Sequence, residues 1–179
     1  PSNPDGVVKT ATCFDRPIYR EPLDDALIEQ LIARHHVPYH VTLSERARGG
    51  DLVLGLDCHS MAATPPPVAP DSGTPRPLFC LSNGEGQTCD DDTLRRLAAA
   101  ITRAFECSED DVQLNRPFRG GYITRRHGRN PLPWIQVEMN RSLYLADPWF
   151  DPETRTASES RLGELRERFA RALGSLDLQ

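Results

Sequence analysis

An apolar run of strand length, residues 52–56, leads directly into three polar residues, Asp57, His59 and Ser60. In an open α/β sheet, ligands bind at the carboxyl ends of the strands. Asp57 and His59 are two positions apart, so on a regular strand their side chains share one face. A neutral imidazole is a common zinc ligand, and a neighbouring carboxylate often orients it. The pattern indicates either a metal ligand with an orienting carboxylate or a hydrogen-bonded histidine at a capped strand end.

A second candidate is Glu138, which lies in another apolar run at residues 132–141. Both flanking residues are apolar, so the sequence predicts a partly desolvated carboxyl group. Desolvation raises the pKa of a carboxyl group, which suits a general base. The alternative is a structural salt bridge from Glu138 to Arg141 or to another of the chain's arginines. Together, His59 and Glu138 suggest a metal ligand and a general base at two strand ends.

The remaining histidines and a cysteine give weaker signals. His36 and His40 are four residues apart, a spacing that binds zinc on a straight helix, but Pro38 between them favours a structural role for His40. His127 lies in a predicted basic loop, where solvation is expected. Cys58 falls within a predicted strand, and we expect it to be a small core residue rather than a reactive thiol.

A cluster of arginines surrounds a pair of glycines at residues 120–121. Guanidinium groups bind carboxylates and phosphates through paired hydrogen bonds, so this segment is a candidate anion-binding surface. An ordinary charged loop is the alternative. The arginines concerned are Arg119, Arg125, Arg126 and Arg129.

The bulk properties favour a single globular domain. The chain has 179 residues, 38% of them hydrophobic, and 16 prolines. This length can bury a substantial core, and a formal net charge of −5 disfavours nucleic-acid binding. No apolar run approaches the roughly 20 residues of a membrane helix. Five irregularly spaced cysteines argue against a disulfide framework and favour reduced thiols in a cytoplasmic protein.

Periodicity and breaker residues predict the elements that position these side chains. The predicted strands are 51–57, 78–81, 112–115 and 134–139, with a further extended segment after residue 117. The predicted helices are 22–48, interrupted at Pro38, then 91–107 and 159–173. Strands that alternate with helices predict an α/β fold with a mixed, largely parallel sheet flanked by helices.

Four motifs occur in a fixed order along the chain. They are Tyr-His at 39–40, Asp-Cys-His-Ser-Met at 57–61, Asn-Arg-Pro-Phe-Arg-Gly-Gly-Tyr-Ile at 115–123, and Ile-Gln-Val-Glu-Met-Asn-Arg-Ser-Leu-Tyr at 135–144. A chain with these motifs resembles the N-formylglutamate amidohydrolase family. The resemblance extends over about residues 14–145, and four ordered motifs are far more specific than any one alone.

The resemblance implies a fold similar to that of the zinc carboxypeptidases. It also implies a zinc-dependent deformylase that acts on N-formyl-L-glutamate, or a close relative that acts on another acylated amino acid. The expected partner is therefore a small-molecule substrate rather than nucleic acid or a membrane. By this resemblance His59 is the last zinc ligand and Glu138 is the carboxylate that activates the attacking water. The supporting residues are Asp57 and Ser60 beside the histidine, and Arg119, Arg125 and Arg126 for the substrate carboxylates.

The chain also departs from the family pattern. It lacks a Pro-His-Ser-Gly motif and an acidic segment that are expected to supply the other zinc ligands. We therefore expect a single domain over 1–179 that is the C-terminal two-thirds of a longer family domain, inactive alone, with further zinc ligands upstream. The altered segment 77–82 leaves the identity of the acylated amino acid open. The alternative is an inactive homologue or fragment that binds an acidic amino acid or a protein partner.

Overall fold

A computed structural model describes residues 6–12 and 14–177 of the chain. Residues 1–5, Cys13 and residues 178–179 lie outside the described residues. The chain divides into two compact units, one built from residues up to 49 together with 64–74, the other from residues 50–63 and from 75 onward. Among the described helices, none combines the length and the apolar character that a membrane crossing requires.

The first unit is helical. Helix α1, Asp25–Leu31, continues through a π-helical segment, Ile32–His36, into helix α2, Val37–Arg48. Pro38 is the second residue of α2 and has no N–H to donate, and just before it the Val37 N–H donates to the Ile32 carbonyl in the i→i−5 pattern of a π-helix. The interruption predicted at Pro38 therefore takes the form of a π-helical turn immediately upstream of the proline.

The second unit contains a four-stranded mixed sheet. Its strands are β1 Gly55–Met61, β2 Phe79–Ser82, β3 Val112–Leu114 and β4 Trp134–Asn140. They are arranged in the order β1-β4-β2-β3. Strand β1 is parallel to β4, β2 is antiparallel to β4, and β2 is parallel to β3. The predicted α/β fold with a mixed, largely parallel sheet is confirmed.

The remaining elements belong to the same unit. They are α3 Asp91–Phe105, α4 Tyr122–His127, α5 Ser142–Leu145, the hairpin β5 Phe150–Asp151 and β6 Thr156–Ala157, and α6 Glu159–Gly174. Helix α3 is capped by the preceding residue, Asp90, whose carboxylate accepts a hydrogen bond from the backbone N–H of Thr93. The core combines one face of α3 with apolar residues of the sheet and of α6. Its members include Leu94, Leu97, Ile101, Phe79, Leu81, Ile135, Val137 and Ala172.

Two local expectations are wrong. Residues 122–127 were expected to be extended and then an exposed loop, but they form α4, in which arginines of high helix propensity follow the capping Gly121. Cys58 was expected in the core, but it is exposed, on a strand that forms one edge of the described sheet. The described cysteines are all free thiols: Cys58, Cys80, Cys89 and Cys107.

The start of the β1–β4 pair depends on Gly55. It lies opposite Trp134 in the register, and the indole covers it so closely that a Cβ atom there would collide with the ring. We expect Gly55→Ala to lower the free energy of unfolding by about 1–3 kcal/mol, because the buried indole must move. Urea denaturation measures this change.

The matched control for this prediction is Gly163→Ala in α6, where the position that a Cβ atom would take has open space around it. There the same substitution is expected to raise the free energy of unfolding by about 0.5–1 kcal/mol, because alanine is the better helix former. Unchanged stability in Gly55→Ala would contradict the packing of Trp134 on this glycine.

Candidate active site

Strands β1 and β4 bring four polar side chains together, each at the third or fifth position of its strand. In the parallel register, Asp57 lies opposite Gln136 and His59 lies opposite Glu138. Alternate residues of a strand share a face, so all four project from the same face of the sheet. We call these residues, Asp57, His59, Gln136 and Glu138, the β1–β4 cluster.

Asp57 fixes the orientation of His59. Its carboxylate is 6% exposed, and Oδ1 lies 2.7 Å from His59 Nε2. The other oxygen, Oδ2, accepts a hydrogen bond of 2.7 Å from the hydroxyl of buried Thr124 in α4. With a carboxylate as its partner, Nε2 of a neutral His59 carries the proton, so Nδ1 keeps the lone pair that a metal needs. The His59 side chain is 42% exposed, which leaves the ring accessible.

Glu138 is a buried carboxylate beside this histidine. It is 5% exposed, and its Oε1 accepts a hydrogen bond of 2.7 Å from Gln136 Nε2. Burial raises the pKa of Glu138 above its ordinary value, while the Gln136 hydrogen bond and the charges of His59 and Arg76 oppose the shift. Asp57 adds to the rise by like-charge repulsion. A carboxyl group of this kind has the character of a general base.

Arg76 is a site residue that the sequence did not indicate. Its guanidinium carbon lies 5.0 Å from the centre of the Phe118 ring, and Nη1 donates to the carbonyl of Ala62 at 3.4 Å. The Asn140 carboxamide donates to the Arg76 carbonyl at 3.3 Å and so fixes the backbone. No local motif marks Arg76, because only the tertiary fold brings the segment before β2 near Glu138.

Ser60 and Arg141 contact each other. The Ser60 hydroxyl accepts from Arg141 Nε at 3.1 Å, and the Ser60 carbonyl accepts from Nη2 at 3.0 Å. The salt bridge from Arg141 to Glu138 that was the alternative for this glutamate is not among the ion pairs of the described residues. Ser60 therefore binds Arg141 at the strand end, and its support of His59 stays a prediction.

The three arginines predicted to bind substrate contact neighbouring residues. Arg125 donates to the carbonyls of Gly120 and Arg119 at 3.0 and 2.9 Å, and Arg119 pairs with Glu85 at 3.4 Å. Arg126 donates to the Tyr122 hydroxyl at 3.4 Å. All three side chains remain exposed. Their role in substrate binding stays a prediction.

The expectation that His127 is solvated in a loop is wrong. His127 is the last residue of α4, is 3% exposed, and has its ring 5.5 Å from the ring of Trp134. Burial and the neighbouring charge of Arg126 lower the pKa of His127, while Asp57 opposes this shift. The burial of His127 could not be predicted from the sequence, because the basic residues before it are exposed on the same short helix and suggested a solvated loop.

The other histidine pair belongs to the first unit. The rings of His36 and His40 contact each other at 4.3 Å between centroids, and His40 is buried. Within the described parts of the chain, no group of three or more histidine, cysteine, aspartate or glutamate side chains is arranged to hold a metal ion. The structural role predicted for His40 is consistent with its burial.

The raised pKa of Glu138 predicts a pH-dependent effect of Glu138→Gln on stability. Below the ordinary value of 4.5, Glu138 is protonated in both the folded and the unfolded state, and the burial penalty is absent. As pH rises through the folded-state pKa, the wild type loses stability that the neutral glutamine retains. We expect the stability of the variant relative to the wild type to rise between about pH 4 and pH 7 in metal-free protein.

Denaturant titrations at the two pH values measure this difference. The matched control is Glu167→Gln on α6, where the same substitution replaces an exposed side chain instead of a buried one. An advantage of Glu138→Gln that is equal at both pH values would contradict a raised pKa.

Comparison with known proteins gives the same family in sequence and in structure. The sequence profile described as N-formylglutamate amidohydrolase matches residues 1–145. An N-formylglutamate deformylase of Pseudomonas aeruginosa is 31% identical over 144 residues, which are 75% of this chain and 52% of that protein. The chain thus spans about half the length of this curated relative.

Two crystal structures resemble the fold. An N-formylglutamate amidohydrolase from Ralstonia eutropha superposes with a TM-score of 0.65 at 25% identity, over 89% of this chain and 56% of that one. A gene product of Agrobacterium tumefaciens superposes with a TM-score of 0.55 at 22% identity, over 93% and 61%, which supports the fold alone. From the profile match and the deformylase relative, the chain belongs to the N-formylglutamate amidohydrolase family.

Proposed function

We propose that the protein hydrolyses the amide bond of N-formyl-L-glutamate, or of a related N-acyl amino acid, and releases the acyl group as the free acid. The observation that carries this proposal is the pairing of buried Glu138 with His59, whose ring is oriented by Asp57. A base beside an accessible imidazole that could bind a metal fits metal-assisted hydrolysis. The named deformylase relative supports the choice of an N-formyl substrate.

The residues present fit one side of a zinc site. His59 is a partly exposed imidazole held by a buried carboxylate, which is the usual support of a zinc-bound histidine. A catalytic zinc site needs about three protein ligands, and the described residues supply no cluster of that size. We propose that His59 is one ligand and that the others come from outside the described residues. Zinc, when bound, polarises the formyl carbonyl and makes a water molecule more acidic.

Glu138 performs the proton transfers in this proposal. Its carboxylate accepts a proton from the attacking water as the new carbon–oxygen bond forms at the formyl carbon. The same carboxyl group then donates that proton to the amide nitrogen, so that the carbon–nitrogen bond breaks and an amine leaves. The products are formate and the free amino acid. Its raised pKa keeps the carboxyl group basic enough for the first transfer.

Recognition of the substrate carboxylates is assigned to arginines. Arg119, Arg125 and Arg126 remain candidates on charge and position. Arg76 is added because its charge acts on Glu138, which places a cation within electrostatic reach of the reacting groups. Its guanidinium is held over Phe118 and its backbone by Asn140, so the cation is preorganised to receive a carboxylate.

We also propose a cytoplasmic protein that acts on a dissolved small molecule. The described cysteines are all unpaired, which is the state expected in a reducing compartment. A net charge of −5 gives no support for nucleic acid as a partner.

A second candidate function is binding without catalysis. It is favoured by one observation: the described residues hold fewer than three clustered metal donors. An inactive homologue or fragment would bind an acidic amino acid or a protein partner through the same face. Calorimetric binding of L-glutamate by a protein that releases no formate would favour this candidate.

The proposed function predicts the effect of Glu138→Gln on turnover. In the complete product of the reading frame that encodes this chain, we expect kcat for formate release to fall by about 10²–10⁴-fold, because the proton acceptor is lost. Zinc content, measured by elemental analysis, should not change, since Glu138 is not proposed as a ligand. Glu167→Gln is the matched control and should behave as wild type. Formate release at the wild-type rate by Glu138→Gln would contradict the assignment.

A further inference from the structure

The Gln136 carboxamide is bonded at both ends. Its Oε1 accepts the backbone N–H of Gly121, and its Nε2 donates to Glu138 Oε1 at 2.7 Å. Both Gln136 and Glu138 are nearly inaccessible, at 4% and 5% exposure. Among the described residues, Gln136 is the one hydrogen-bond donor to the Glu138 carboxylate. The orientation of the buried carboxylate therefore depends on this one amide.

We propose that Gln136 is a positioning residue, which holds the Glu138 carboxylate in its productive orientation through a relay from the Gly121 N–H. This inference rests on the proposed function of Glu138 as the base. Gln136 lies in the motif at residues 135–144, but its presence in that motif does not by itself say what its side chain does.

The direction of the relay is fixed by chemistry. An amide side chain can be reversed, which exchanges its donor and acceptor ends. The backbone N–H of Gly121 can only donate, so the oxygen of Gln136 must face it. The NH₂ end must then face Glu138, where an ionised carboxylate can only accept. One oxygen of Glu138 is thereby occupied, and Oε2 is left as the proton acceptor.

The donor at the start of the relay is itself held in place. Gly120 has φ of 93°, and a Cβ atom there would lie 3.3 Å from the backbone nitrogen of Gly84, so this tight turn requires glycine. Arg125 donates to the carbonyls of Gly120 and Arg119 and ties the same turn to α4. At Gly121 a Cβ atom would lie 3.4 Å from Gln136 Oε1, so glycine lets the backbone approach the amide closely.

The relay is parallel to the one that supports His59. Thr124 of α4 donates to Asp57, which holds the histidine, while Gly121 at the start of α4 donates to Gln136, which holds the glutamate. Helix α4 and its capping Gly121 thus orient both members of the pair, His59 through Asp57 of β1 and Glu138 through Gln136 of β4. This arrangement explains why Thr124, Asp57 and Gln136 are all buried although they are polar.

The first test is Gln136→Met in the complete, zinc-loaded protein. Methionine keeps the length of the side chain and removes both hydrogen bonds. We expect kcat for formate release to fall by at least about tenfold, with KM within about twofold of wild type, because a misplaced base affects the transition state rather than substrate binding. Zinc content should be unchanged. Gln113→Met, at an exposed position of β3 in the same sheet, is the matched control and should not alter kcat.

The second variant guards against loss of folding. Gln136→Glu keeps the shape and the acceptor for Gly121 but replaces the donor toward Glu138 with a carboxylate. We expect a similar loss of kcat with KM retained. Wild-type kcat in a folded Gln136→Met or Gln136→Glu variant would overturn the proposal.

A structural readout separates this inference from the proposed function. We expect one Glu138 rotamer in crystals of the wild type and a displaced or divided carboxylate in crystals of Gln136→Met or Gln136→Glu. An unchanged Glu138 rotamer in a folded variant would overturn the positioning role, whether or not the protein releases formate. Absence of formate release by the wild type would instead refute the proposed function, and the crystallographic comparison would still decide the role of Gln136.

Discussion

The site depends on the parallel pairing of β1 with β4, because this register alone places His59 beside Glu138. A shift of one residue would turn one partner to the opposite face of the sheet and separate the pair. The register is fixed at its start by Gly55 against Trp134, and along its length by apolar residues of β4 that enter the core. Packing of residues outside the site therefore determines the relative positions of His59 and Glu138.

The same pairing brings polar and ionisable groups into the interior, where each needs a partner. Helix α4 supplies those partners by donating to Asp57 through Thr124 and to Gln136 through Gly121. Asp57 and Glu138 lie close enough for their charges to interact, and burial with this repulsion raises the pKa of Glu138. The site is thus a hydrogen-bonded network in which one carboxylate orients a histidine and the other is kept basic.

The sequence predicted which polar residues the two strands carry, but it did not predict which residues from other segments pack against them. The placement of Asp57, His59 and Glu138 on two strands could be predicted because apolar runs that lead into polar residues are local signals, although β1 continues to Met61 and carries Asp57 and His59 within the strand. His127 and Arg76 were misplaced or missed because their surroundings come from segments distant in the chain. Gln136 lies two residues before Glu138, so the spacing in the sequence already predicts that both side chains project from the same face of the sheet. Its bond to Gly121 depends on where α4 docks, which no local pattern shows.

The proposed metal site is tested most directly by the zinc content of the complete protein, measured by elemental analysis in the wild type, His59→Ala and His35→Ala. His35 is exposed in the first unit and provides a matched histidine control. We expect about one zinc ion per chain in the wild type and in His35→Ala, and close to none in His59→Ala. Retention of about one zinc ion by His59→Ala, or its absence from the wild type, would contradict the proposed metal site.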